Sequence, residues 1–241
     1  MAARGEVSTG VSADSEPEPG WLPDAAIVLS GGRGSRLGGT PKGRVRVGDI
    51  PLLDGVLDAV SAAGIQRAVV VGHPPSLERA GVVVTREDPP FAGPLAGVAA
   101  GLLALPDLPG KAWVMVLACD LPRAGEVIPL LLTGSPAEDD GAGVARERVQ
   151  GADGWLVVDD AGRRQWLAGC YRIGPLRAAC AAASTEGPDG LVGLPLRAAF
   201  GRLHLREVPD PHGASADVDT PEDLMRARAA ARRSHRERME S

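Results

Sequence analysis

The sequence predicts an α/β fold: a mostly parallel, doubly wound sheet with helices on both faces. Three observations carry this. An apolar run of strand length, Ala25 to Leu29, is followed by apolar residues at helical spacing (Leu52, Leu53, Val56, Leu57, Val60) and then by a buried-type strand, Ala68 to Val71. The same alternation continues through Val82 to Thr85, a helix opened by Pro94 and reaching about Leu105, and the strongly strand-like Trp113 to Ala118. Finally, the first strand stops abruptly at paired glycines, on the strand ends where open α/β sheets bind ligands.

With 241 residues the chain can build one α/β domain with a substantial core and is short for two full-sized ones. Aromatic residues make up only 3%, so Val, Leu, Ile and Ala must fill that core. A net charge of −5 speaks against a general nucleic-acid surface. No apolar stretch approaches a membrane span, and the first residues lack the basic start and hydrophobic segment of a secretory signal, so a cytoplasmic protein is expected. Cys119, Cys170 and Cys180 are odd in number and lack metal-site spacing; they read as reduced packing residues.

Residues 1–23, rich in Ser, Glu, Pro and Gly, read as a disordered leader, 24–225 as the domain, and 226–241 as a basic tail carrying Arg226, Arg228, Arg232, Arg233, Arg236 and Arg238. Within the domain, Arg44 to Val47 alternates like a short edge strand, and Gly64 is a fitting stop for the first helix. Strands are expected around Ala142 to Arg146, over Trp155 to Val158 and over Gln165 to Arg172, with 159–162 as a hairpin turn. Helices are expected over Pro175 to Ala183 and Leu191 to Ala199, and a strand over Leu203 to Val208. His204, alone on that strand, reads as structural or exposed.

The chemistry concentrates after the first strand, in Leu29-Ser-Gly-Gly-Arg-Gly-Ser-Arg-Leu-Gly-Gly-Thr-Pro-Lys42. Gly31, Gly32 and Gly34 carry no Cβ, so the loop can turn its N–H groups toward a phosphate and let it approach closely. Arg33 and Arg36 add planar forks for phosphate oxygens and Lys42 a compact charge, which together describe a triphosphate cradle. The GxxxxGK[ST] phosphate loop does not fit, because Lys42 lies between Pro41 and Gly43; nor does GxGxxG, which would need glycine at Leu37. Taken alone, the glycines also fit an ordinary surface turn. Gly72 ends a neighbouring parallel strand and belongs on the same rim as Gly31.

Further along, Trp113-Val-Met-Val-Leu-Ala118 runs into Cys119-Asp120-Leu121-Pro122. A carboxylate at the C-terminal end of a central strand suits a hard divalent ion, and Asp120 is the first candidate for Mg²⁺; the alternative is a helix-capping Asp that needs no metal. Asp88 heads a Pro-rich turn, Asp88-Pro-Pro-Phe-Ala-Gly-Pro-Leu-Ala-Gly97. The last block, Asp217-Val-Asp-Thr-Pro-Glu-Asp-Leu224, has the makings of a helix start, with Thr220 as cap and Pro221 at the first position.

These blocks, in this order, resemble the nucleotidyltransferases that attach a nucleoside monophosphate to a phosphorylated acceptor. Gly38-Gly39 and the spacing to Lys42 are most similar to the molybdenum cofactor guanylyltransferase branch, in which Asp often stands where this chain has Pro41. The resemblance implies a single Rossmann-like nucleotidyltransferase domain using Mg²⁺, GTP as donor, a molybdenum-bearing molybdopterin acceptor, and partners in cofactor biosynthesis or among molybdoenzymes. It assigns Lys42, Arg36 and Asp120 to catalysis, and Leu29, Ser30, Gly31, Gly32, Arg33, Lys42, Gly72, Asp88 and Asp120 to the nucleotide. It assigns Asp120 and Asp219 to the metal, with Asp217 as second choice after Asp219, and the strand from Gln165 to the acceptor side. A cytidylyltransferase or sugar-phosphate nucleotidyltransferase of the same fold, or a non-catalytic nucleotide-binding protein, are the alternatives.

Overall fold

The computed structural model describes residues 21–31, 41–72, 77–133, 151–187 and 189–240, with side chains as far as residue 233. Its elements are β1 (Ala25–Ser30), a 3₁₀ turn (Lys42–Arg44), β2 (Arg46–Val47), β3 (Ile50–Pro51), α1 (Leu52–Ala62), β4 (Ala68–Gly72) and β5 (Val82–Thr85). There follow α2 (Pro94–Leu103), β6 (Trp113–Ala118), α3 (Ala124–Thr133), β7 (Gly154–Val158) and β8 (Arg164–Arg172). The chain closes with α4 (Ile173–Glu186), α5 (Arg197–Phe200), β9 (Leu205–Pro209) and α6 (Pro221–Glu240).

Seven strands form one sheet in the order β5-β4-β1-β6-β8-β7-β9. β5, β4, β1 and β6 run parallel, β8 runs antiparallel to both β6 and β7, and β9 pairs parallel with β7. Alternate strand residues serve opposite faces. Ala26, Val28, Val70, Met115 and Leu117 pack under α1 and α3, whereas Ile27, Val69, Val114 and Val116 pack under α2 and α4. Gly101 lets α2 lie close to the sheet, since a Cβ there would stand 2.7 Å from Ile27 Cγ2. Both faces are thus covered, which is why the central strands are apolar throughout instead of alternating.

The structure corrects several element boundaries. Residues 44–47 hold the last residue of the 3₁₀ turn (Lys42–Arg44) and a two-residue strand paired to β3, outside the main sheet. The helix expected over Leu191 to Ala199 shrinks to α5. Gly193, at φ +70°, donates its N–H to Ala92 O at 2.7 Å, which breaks the helical path, and Pro195 follows. α3, the helix that the capping alternative for Asp120 implied, holds Pro129 in its interior and still buries Val127, Ile128 and Leu131. The strand expected near 142–146 lies outside the described residues.

At the front, the Trp21 ring centroid lies 5.7 Å from that of Trp113 and 5.4 Å from that of Trp155. At the back, α6 passes through residue 226 without a break, and Arg228 donates to Arg46 O. Cys119, Cys170 and Cys180 are buried and unbridged. Among the described residues no helix is long and apolar enough to cross a membrane.

Candidate functional site

β1, β4 and β6 are parallel, so their C-terminal ends share one edge of the sheet, and the residues that follow them come together there. Ser30 lies opposite Gly72 in the register. Gly72 has φ +139°, and a Cβ on it would approach Ser30 O to 2.6 Å, so only glycine fits against the first strand's end. Two backbone bonds tie the edge: Cys119 N to Leu29 O at 3.0 Å, and Val218 N to Asp120 O at 3.1 Å. The second brings a distant segment, carrying Asp217 and Asp219, beside the end of β6.

Lys42 opens the 3₁₀ turn, which Pro41 closes from outside by accepting the N–H of Arg44 at 2.9 Å. Gly43 is buried against Ser30 Oγ and Leu53, leaving no room for a side chain and holding the turn against β1 and α1. From this seat Lys42 Nζ donates to Asp120 Oδ2 at 2.6 Å and to Asp219 Oδ1. Burial pulls the ammonium pKa down, but the charge and hydrogen bond of Asp120, joined by Asp219, outweigh it and hold the pKa above the ordinary lysine range.

Asp219 is set by the start of α6. Thr220 N and Oγ1 both donate to Asp223 Oδ2, Asp223 N donates back to Thr220 Oγ1, and Asp219 N also reaches Asp223 Oδ2. The helix start predicted from the sequence is therefore present, and its reciprocal cap also positions Asp219. Asp120, Asp217 and Asp219 each offer an oxygen, and the three atoms lie within 4.8 Å of one another. Burial first, then the charges of Asp120 and Asp219, push the Asp217 carboxyl above its ordinary value against the opposing pull of the Lys42 ammonium. An all-oxygen set of this kind fits a hard divalent ion such as Mg²⁺.

These groups line one cavity of about 450 Å³ that also includes Leu29, Gly31 and Val71 on one side and Trp166 on the other. The expected nucleotide contacts distribute unevenly around it. Leu29, Gly31, Lys42 and Asp120 line the cavity; Ser30 sits beneath it, hydrogen-bonded to the Cys119 thiol, and Gly72 shapes the rim while Val71 reaches the space. Burial pushes that thiol up to about 12, so it is no nucleophile. Gly32, Arg33, Gly34 and Arg36 lie outside the described residues.

Asp88 is exposed and does not line this cavity, whereas its neighbour Glu87 lines it and accepts the N–H of Phe91 at 3.0 Å. Ser215, Arg164 and Trp166 also line the cavity and were not singled out by their sequence pattern.

A family model for the MobA-like NTP transferase domain matches residues 26–193. Curated relatives include the molybdenum cofactor guanylyltransferase of Pseudomonas putida (strain GB-1), 33% identical over 127 residues that cover 52% of this chain and 64% of the relative. That of Cupriavidus metallidurans is 40% identical over 100 residues, covering 40% of this chain and 46% of the relative. The alignments thus span about half to two-thirds of those relatives. Among solved structures, the fold is shared with molybdopterin-guanine dinucleotide biosynthesis protein A from Archaeoglobus fulgidus (TM-score 0.61, 20% identity, 87% of this chain and 99% of that one). It is shared equally with 2-C-methyl-D-erythritol 4-phosphate cytidylyltransferase from Francisella tularensis (TM-score 0.63, 14% identity, 85% and 98%). The family match runs from β1 past α4 and takes in the cavity edge from Leu29 to Asp120, and the chain belongs to the MobA-like NTP transferase domain family.

Proposed function

We propose that this chain is a nucleotidyltransferase that moves GMP from GTP to the phosphate of a molybdenum-bearing molybdopterin, releasing pyrophosphate. The observation that carries this reading is the meeting of Lys42 with Asp120, Asp217 and Asp219 in a single cavity at the C-terminal edge of a parallel sheet. The names of the curated relatives support the donor and acceptor.

In this reading an acceptor phosphate oxygen bonds to the α-phosphorus of GTP, and the bond from that phosphorus to the α,β-bridging oxygen breaks. No protein nucleophile is needed. Lys42 supplies a cation to the donor's phosphates from a turn anchored to β1, and Gly31 offers backbone without a side chain in the way. Arg33 and Arg36 are assigned to the same phosphates by charge and position in the sequence. Asp120, Asp217 and Asp219 would hold Mg²⁺, which when bound neutralises phosphate charge. Catalysis then rests on positioning and on charges arranged in advance. In this reading the protein works in the cytoplasm, and its product is handed to cofactor-biosynthesis proteins or molybdoenzymes.

The test is pyrophosphate release from GTP in the presence of Mg²⁺ and acceptor, with Asp120→Ala as the control expected to be inactive. A shared fold with a cytidylyltransferase makes CTP the competing donor. Thermal stabilisation by GTP, CTP, ATP and UTP with Mg²⁺ separates them, and a preference for CTP overturns the guanylyl assignment while leaving the reaction class intact.

A further inference from the structure

The two edges of the seven-stranded sheet are finished differently. β9, at one edge, carries Arg206 and Glu207, pairs Glu207 with Arg164 at 2.8 Å and ends in Pro209. Charges and proline on an edge strand keep other strands from adding to it. β5, at the opposite edge, reads Val-Val-Val-Thr, with no charge, no proline and no break in its register. Val83 and Val84 are 54% and 44% exposed, and successive strand residues point to opposite faces, so apolar surface is open on both sides of this edge. Among the described residues β5 pairs only with β4.

The backbone of β5 fixes which polar groups face outward. Ala68 N donates to Gly81 O at 2.9 Å, and bonding alternates along a parallel ladder, so Gly81, Val83 and Thr85 turn their polar groups toward β4. Val82 and Val84 turn theirs to the open side. The Val82 N–H is already engaged, donating to Arg79 O at 3.1 Å. A second β5 laid antiparallel with Val84 opposite Val84 lets each Val84 N–H donate to the other's carbonyl, and sets Val83 of one copy against Thr85 of the other. The neighbouring symmetric register, with Val82 opposite Val84, needs the engaged Val82 N–H and leaves the Val84 carbonyl without a donor. Glu78 and Arg79 before the strand, and Arg86, Glu87 and Asp88 after it, are mixed in sign, so the pairing gathers no block of like charge.

We propose that β5 is the surface through which two copies of this chain associate, joining their sheets across a two-fold axis into one continuous sheet. A second copy fits because the open groups are self-complementary in the Val84 register: each copy brings the donor, the acceptor and the valine face that the other lacks. The strand is only four residues long, which places the association in the weak, reversible class.

Sedimentation equilibrium of the full chain from about 1 to 200 µM tests this, with a dimer expected at a dissociation constant of about 1–100 µM. Val84→Lys sets two ammonium groups side by side at the symmetric position and should weaken association at least about tenfold, whereas Val84→Thr should stay within about threefold of wild type. Val84→Cys gives an independent reading. The paired Cα atoms stand about 5.5 Å apart in this register, within disulfide reach, and Cys119, Cys170 and Cys180 are buried, so mild oxidation should yield a covalent dimer. Met225→Cys, equally open to solvent on α6, should not link. Should Val84→Lys fail to fold, the cysteine variant carries the comparison. A chain that stays monomeric at the highest concentration overturns the proposal, as does a dimer that Val84→Lys leaves unchanged or that Val84→Cys does not link. A monomer whose Val84 amide resists hydrogen exchange would mean that this chain covers its own edge, and overturns it equally.

Discussion

Lys42 Nζ and Asp120 Oδ2 are 2.6 Å apart although 78 residues separate them in the chain, and Asp219, 177 residues from Lys42, closes on the same ammonium. A divalent ion held by these acids would therefore compete with the lysine for the same oxygens. Lys42→Met is expected to tighten Mn²⁺ binding measured by electron paramagnetic resonance without nucleotide, by several-fold, while weakening GTP at least about tenfold. Lys42→Arg should leave Mn²⁺ affinity near wild type. An unchanged or weaker Mn²⁺ affinity in Lys42→Met would rule out the competition.

Asp120 is the most buried of the three acids, with its side chain only 9% exposed, and it stands at the end of the central strand. Asp120→Asn keeps the shape and removes the charge. Pyrophosphate release is expected to fall by at least about a hundredfold, with GTP affinity in metal-free buffer changing far less. Steady-state rates alongside metal-free titration separate the two effects.

Glu87 and Asp88 make a paired test of the cavity wall. Glu87 lines the cavity and Asp88 is exposed beside it, so Glu87→Ala should cost about tenfold or more in nucleotide affinity and Asp88→Ala less than about twofold. Equal effects in a nucleotide titration would return Asp88 to the site.

Gly72→Ala puts a methyl group 2.6 Å from Ser30 O at a backbone φ of +139°. Either the strand ends part or the backbone turns, and urea unfolding should register a loss of about 1–3 kcal/mol. Because the displaced atom belongs to the strand that leads into Gly31, GTP affinity should drop with it. Wild-type stability in this variant would mean that the close approach is not real.

The cap at the start of α6 makes a pH-dependent prediction. Hydrogen bonds from Thr220, its hydroxyl foremost, hold the Asp223 carboxyl at about 2, below its ordinary 3.8. The folded value is the lower one, so its stabilisation is complete above the unfolded value near pH 4 and is lost as pH falls through about 2. Asp223→Asn should cost about 0.5–2 kcal/mol at neutral pH, shrinking toward zero as pH drops from about 4 to below about 2. Urea titrations across that range read it directly, and a cost that persists at the acid end would contradict the assignment.

The sequence by itself determined the alternation of strands and helices, the sheet's two covered faces and the strand ends where ligands bind. Those follow from local rules, because a run such as Trp113 to Ala118 reports its own burial and Pro94 or Pro221 marks a helix start through its fixed φ and missing N–H. Lys42 and Asp120 were legible as site candidates for a related reason, Asp120 lying just beyond a strand and Lys42 closing the glycine-rich stretch that follows one. Other features were not legible. The run of α3 through Pro129 rests on the burial of Val127, Ile128 and Leu131, which offsets the lost hydrogen bond, and the approach of the Trp21 ring to Trp113 and Trp155 joins residues far apart in the chain. Only the tertiary structure decided that Glu87 lines the cavity beside an exposed Asp88, that Trp166, Leu167 and Ala168 have no register partner on β7, and that Asp219 arrives beside Lys42. Each of these depends on register and on contacts between segments far apart in the chain, where sequence periodicity carries no information because it records only what a residue's near neighbours require.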